Sequence, residues 1–170
     1  GGDDPENRNC DPHHMGRGKG LRAEMEGFKT SSDADYDWTR DEGQRKIMLK
    51  IREKRPDAIF EAFSNSCPYY MTYSGCCSGN VDGGKDNLKP EYYEEFAHYL
   101  VDVCKHYKDT YGIEFATLEP FNESATSFWY ANGPQEGCHF DGRSQIAFIK
   151  VLAPILKASG LNTVISSSDE

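Results

Sequence analysis

Three times along the chain, apolar residues that recur every three or four positions give way to a short continuous apolar run. In residues 44–54, Ile47, Met48 and Ile51 stand among charged neighbours, which predicts an amphipathic helix closed by Pro56. Residues 58–63, Ala-Ile-Phe-Glu-Ala-Phe, predict a strand, followed at once by the polar turn residues 64–68. A second helix is expected from Pro90. Proline suits the first helical position, and Glu91, Glu94 and Glu95 suit the positive end of the helix dipole. Tyr93, Phe96, Leu100, Val103, Cys104 and Tyr107 give it one apolar stripe, and Tyr111-Gly112 end it. Residues 113–119 then read as a buried strand. A third helix over 144–158 would turn Ile146, Ile149, Leu152 and Leu156 inward, with a kink at Pro154. Gly160 caps it before a third strand over 161–166.

Helix, strand, helix, strand, helix, strand implies right-handed crossovers and a parallel sheet, an α/β fold. Connections from helix to strand are short, whereas those from strand to helix are long. Chain invested on one face of a sheet is expected where the C-terminal ends of the strands build a site. Residues 1–43 lack periodicity and read as a long irregular segment, a loop after a strand that would lie before Gly1.

The 170 residues suffice for one domain with a core. The net charge of −9 and the lack of a Lys/Arg stripe argue against a nucleic-acid partner. No apolar run is long enough to cross a bilayer, so no membrane association is expected. Neither a G-x-G-x-x-G nor a Walker pattern is present, and no cofactor is expected. Six cysteines lack C-x-x-C spacing, which leaves disulfides in an exported protein open and offers no zinc site. Cys104 belongs to a helix's apolar face and reads as a buried free thiol. His13-His14 has no third ligand at helical spacing, so no metal is placed there.

Candidate chemistry lies in residues 113–123. The strand runs into Pro120, which has no N–H to donate to a ladder, and then into Asn122-Glu123. A carboxylate at the C-terminal end of a parallel strand is a candidate catalytic group. A solvated loop acid is the competing reading.

Four blocks carry a resemblance. Asn122-Glu123 after a strand resembles the Asn-Glu pair that ends the fourth strand in retaining glycoside hydrolases built on the (β/α)8 barrel. Gly1-Gly2-Asp3-Asp4-Pro5, residues 61–66, residues 70–75 and residues 119–123, in that order, resemble glycoside hydrolase family 30, in particular its endo-β-1,6-galactanase-like members. Cys67 departs from the pattern, which has a second proline before Pro68. The resemblance implies that residues 1–170 are part of a catalytic (β/α)8 TIM barrel, roughly strands 3 to 5 with their helices. The remainder of the same barrel would then be a partner of this piece.

It also implies roles. Glu123 would be the general acid/base, a task needing a raised pKa, and Asn122 would hydrogen-bond the sugar 2-hydroxyl. Ser64 and Asn65 would line the pocket. Trp38, Tyr70 and Trp129 are candidate sugar-stacking platforms, with ordinary packing as the equal alternative. Asn122-Glu123-Ser124 matches an N-glycosylation pattern, read as coincidental because a glycan would block the site. Retention also needs a nucleophilic carboxylate about 5 Å away. In the resembled clan it follows the seventh strand and has no matching position here, and Glu170 matches no nucleophile motif. The expected activity is retaining endo-hydrolysis of a polysaccharide such as β-1,6-galactan, in a protein secreted to the extracellular space or periplasm. The alternatives are a non-catalytic carbohydrate-binding or scaffold fragment, and a barrel enzyme using Glu123 as a simple base.

Overall fold

The computed structural model describes Gly2 and residues 25–167. The expected alternation of elements is present: α1 (Glu42–Lys54), β1 (Glu61–Phe63), α2 (Tyr93–Tyr111), β2 (Thr117–Glu119), α3 (Gly142–Ala158) and β3 (Val164–Ile165). The strands form one parallel sheet in the order β1-β2-β3, with Ala62 beside Leu118 and Leu118 beside Ile165. They are shorter than the apolar runs suggest. Ile113 and Phe115 are buried, yet they lead into β2 without joining its ladder.

Alternation across the strands gives the sheet two faces. Leu118 turns toward the helices, while Glu61 and Thr117, hydrogen-bonded side chain to side chain, share the other face. The core lies between sheet, α2 and α3. The predicted stripe of α2 holds: Phe96, Leu100, Cys104 and Tyr107 are buried, and Tyr93 and Val103 pack on them. Gly112 ends this helix at φ 65, a conformation glycine adopts without penalty. The Arg52 guanidinium of α1 donates to the Tyr111 carbonyl beside it.

Two stripes differ from expectation. In α3 the buried residues are Phe148, Leu152 and Leu156, and Ile146 is exposed; Phe148 instead meets Phe96, Phe121 and Phe140. In α1 no residue is fully buried, and Ile47 and Ile51 are exposed. The amphipathic pattern of α1 is real, with Met48 packing on the core, but the described residues leave Ile47 and Ile51 largely uncovered.

The expected irregular segment is described only from residue 25, and His13-His14 and most of the Gly1–Pro5 block lie outside the described residues. Its visible part runs along α2. Ser32 Oγ donates to Glu95 at 2.9 Å, Phe28 N–H to the Tyr99 hydroxyl at 3.0 Å, and the Tyr36 hydroxyl to Asp102 at 2.9 Å. Trp38 stacks on His106. Residues 95, 99, 102 and 106 fall on one helical face, so α2 serves as the template for the described part of the segment.

Candidate active site

Pro120 ends β2 and delivers Asn122 and Glu123 beyond its C-terminal edge. A cavity of about 630 Å³ opens there, with Asn65, Asn122, Glu123 and Gln135 among its polar lining. Its apolar part, including Met48, Ala62, Val103 and Phe115, runs between α1 and the free edge of β1. The C-terminal ends of two adjacent strands thus meet at one pocket, Asn65 from the loop after β1 and Asn122-Glu123 from the loop after β2.

Glu123 holds a left-handed backbone, φ 43, which is uncommon for a residue with a side chain. Its carbonyl accepts from Thr126 Oγ1 at 2.7 Å, Trp129 Nε1 at 2.9 Å and Thr126 N–H at 3.2 Å. These bonds fix a conformation that the residue alone would disfavour. Ser124 is fully buried, and Asn122 lines the cavity, so the N-glycosylation pattern lies within the packed site.

Of the other expected residues, Asn65 joins the cavity and four do not. Ser64 is buried, its hydroxyl donating to the Ser66 carbonyl at 3.1 Å, and it faces a smaller apolar recess against α2. Trp38 is sandwiched between Tyr36 (centroids 4.5 Å apart) and His106 (3.9 Å), all nearly parallel, and keeps no free face for a sugar. The Tyr70 hydroxyl reaches Glu95 at 3.4 Å, and its ring meets Tyr69 and Tyr92 edge-on. Trp129 is 2% exposed, so its ring is a packing element and not a platform. In each case neighbouring aromatic or glycine surface claims the ring first.

Other residues build the site without a sequence signal. Glu136 is buried and accepts from Ser66 Oγ at 2.7 Å and from Met25 N–H at 2.9 Å, each contact lying beside or within the cavity lining. The hydroxyl of Ser66 in turn accepts from Gly2 N–H at 3.0 Å. The two strand-end loops are also stitched backbone to backbone: Asn80 N–H to Trp129 O at 3.0 Å, Ala131 N–H to Asn80 O at 2.7 Å, and Gly137 N–H to Cys77 O at 2.9 Å.

Cys76 is disulfide-bonded, whereas Cys67, Cys77, Cys104 and Cys138 are buried cysteines outside any disulfide. The Cys67 thiol, at the departure from the resembled pattern, touches Cys138 of the other loop, and burial pushes its pKa well up. Among the described residues no group of three His, Cys, Asp or Glu side chains is arranged to hold a metal.

Residues 15–169 match the model of O-glycosyl hydrolase family 30. The chain belongs to that family. As a family 30 chain it is 36% identical over 153 residues to an endo-β-1,6-galactanase of Hypocrea rufa, covering 86% of this chain and 31% of the relative. It is 29% identical over 185 residues to an exo-β-1,6-galactobiohydrolase of Bifidobacterium longum subsp. longum, covering 84% of this chain and 12% of the relative. Among solved structures it resembles a conserved exported protein from Bacteroides fragilis, with TM-score 0.73, 29% identity and 83% and 28% of the two chains covered. It also shares the fold of the catalytic domain of the family 30 xylanase C from Talaromyces cellulolyticus, with TM-score 0.62, 22% identity and 82% and 33% covered. The chain therefore spans a third or less of the length of these relatives. The three strands and three α-helices among the described residues are part of a (β/α)8 barrel. No helix among the described residues is long and apolar enough to cross a membrane.

Proposed function

We propose that this chain carries the general acid/base of a retaining endo-glycoside hydrolase acting on β-1,6-galactan side chains or a similar branched polysaccharide. The observation that supports this most is the juxtaposition of Asn122, Glu123 and Asn65 at one cavity beyond the C-terminal ends of β1 and β2. In the first step a carboxylate from another part of the barrel attacks the anomeric carbon. Glu123 gives its proton to the departing glycosidic oxygen. In the second step Glu123 takes a proton from water, which opens the glycosyl ester and restores the nucleophile. The Asn122 side chain donates to the 2-hydroxyl, a bond that strengthens as positive charge develops on the ring.

Three further observations favour this reading. The galactanase relative shares 36% identity over most of this chain, which makes a β-1,6-galactan the first substrate to try. The disulfide at Cys76 suits a protein exported to an oxidising compartment. The exposed apolar face of α1 and the open edge of β1 suit burial by the remainder of the same barrel.

The test is hydrolysis of β-1,6-galacto-oligosaccharides by the complete protein, with the first-formed anomer read by NMR. Products released with retained β configuration are expected. Inverted products would contradict the mechanism, and saturable binding without new reducing ends would favour a carbohydrate-binding role instead.

A further inference from the structure

Trp129 is buried against glycine backbone, and it reaches back six residues to the peptide of Glu123. Its indole N–H donates to the Glu123 carbonyl at 2.9 Å. That carbonyl belongs to a residue in the left-handed region, φ 43, where a Cβ crowds the following carbonyl and the conformation is disfavoured. A bond from a rigid, fully packed donor holds such a peptide more firmly than one from a mobile side chain.

The indole has no freedom to drift. A Cβ at Gly137 would overlap its six-membered ring, so the ring lies directly on the Gly137 backbone. A Cβ at Gly79, φ 138, would overlap the Trp129 carbonyl, which itself accepts from Asn80 N–H. The loop after β1 therefore clamps Trp129, and Trp129 clamps the peptide of Glu123. A tryptophan serving only to fill a core would not need its polar atom aimed at this carbonyl, although a buried N–H does need an acceptor.

We infer that Trp129 is a positioning residue for the acid/base: its indole N–H sets the direction in which Glu123 leaves the backbone and hence where its proton is delivered. This rests on the proposed role of Glu123. The inference makes a specific demand on chemistry. Misplacing the acid harms glycosylation when the leaving group must be protonated and spares glycosylation when the leaving group departs without a proton. A loss of packing alone would harm both equally.

The experiment uses the complete protein with Trp129→Phe, and with Trp129 replaced by benzothienylalanine, which keeps the shape of the indole and replaces N–H by sulfur. Rates per folded molecule are measured on β-1,6-galactobiose units with a sugar leaving group and on an aryl β-galactoside with an activated one. For both variants kcat/KM on the sugar leaving group should fall about 10- to 100-fold, while the rate of the phenol burst on the activated substrate, which reads glycosylation alone, falls about threefold or less. Unchanged kcat/KM on the sugar leaving group with benzothienylalanine, or an equal loss in the burst rate on the activated substrate, would overturn the inference. Glu123→Gln, run in parallel, separates this from the functional reading. Full activity in that variant would remove the acid/base role, whereas loss there with an unaffected benzothienylalanine variant would remove only the role of Trp129.

Discussion

His139 Nδ1 and Asp86 Oδ1 lie 2.8 Å apart and join the loop after β1 to the loop after β2. Asp86 also accepts from Asp141 N–H at 2.8 Å and from the Ser144 hydroxyl, so one half-buried carboxylate gathers both loops onto the start of α3. Removing it leaves several donors unmatched. Asp86→Ala should cost about 2–4 kcal/mol in chemical denaturation of the complete protein, given that bonds to a charged acceptor contribute about 1.5–3 kcal/mol each and are not additive. A cost within about 0.5 kcal/mol would mean that the clamp contributes little.

Trp38, between Tyr36 and His106, joins the irregular segment to α2. Trp38→Ala should lower stability by about 2–3 kcal/mol, somewhat less than the loss of a fully buried aromatic. The KM for oligosaccharide should change less than about twofold. A large rise in KM with unchanged melting temperature would return Trp38 to the substrate site.

Asp141 caps α3 by accepting from the backbone N–H groups of Ser144 and Arg143, both at 2.8 Å. The Ser144 N–H most of all holds its carboxyl below the ordinary value of 3.8. The folded pKa is lower than the unfolded one, so the cap's contribution is fully present above the unfolded value. It is lost as pH falls through the depressed folded value. Asp141→Ala should therefore lower the melting temperature most well above pH 3.8, and the gap to the parent protein should narrow as pH falls below 3.8 through the depressed folded value. A gap independent of pH would contradict the ionised cap.

Burial pushes the Cys104 thiol up to about 12, and burial together with contact to Cys138 raises that of Cys67 as well. At pH 8 both are then almost wholly protonated and shielded, and only the thiolate is nucleophilic. Peptide mapping after iodoacetamide treatment should find neither residue modified in the native protein and both modified after denaturation under non-reducing conditions. Failure of Cys67 and Cys138 to label even when unfolded would show that they are already joined.

The parts of this fold legible in the sequence are those with local causes. The α2 stripe from Phe96 to Tyr107 follows a helical period, Gly112 stops it, and Pro120 ends β2 just before Asn122-Glu123. The family resemblance supplied the expected site, and Asn65, Asn122 and Glu123 do share a cavity. What was illegible depends on pairs distant in sequence. Asp86 meets His139 across 53 positions, and Ser66 meets Glu136 across 70, with no periodicity to announce either. The aromatic residues misled for a related reason. Composition shows that Trp38, Tyr70 and Trp129 have faces suited to sugars, but only the fold shows that Tyr36 and His106, the rings around Tyr70, and Gly137 already occupy them. Ile47 and Ile146 mark the opposite case, an apolar residue on a predicted inner face that stays exposed.

The most direct measurement is turnover of β-1,6-galactan by the complete protein carrying Glu123→Gln, alongside an aryl β-galactoside whose leaving group needs no protonation. Loss of general acid/base assistance should lower polysaccharide hydrolysis about 10²- to 10⁴-fold while the first, glycosylation step on the activated substrate persists as a burst of released phenol. Polysaccharide turnover at the parent rate would contradict the assignment of Glu123 as the acid/base and, with it, the proposed mechanism.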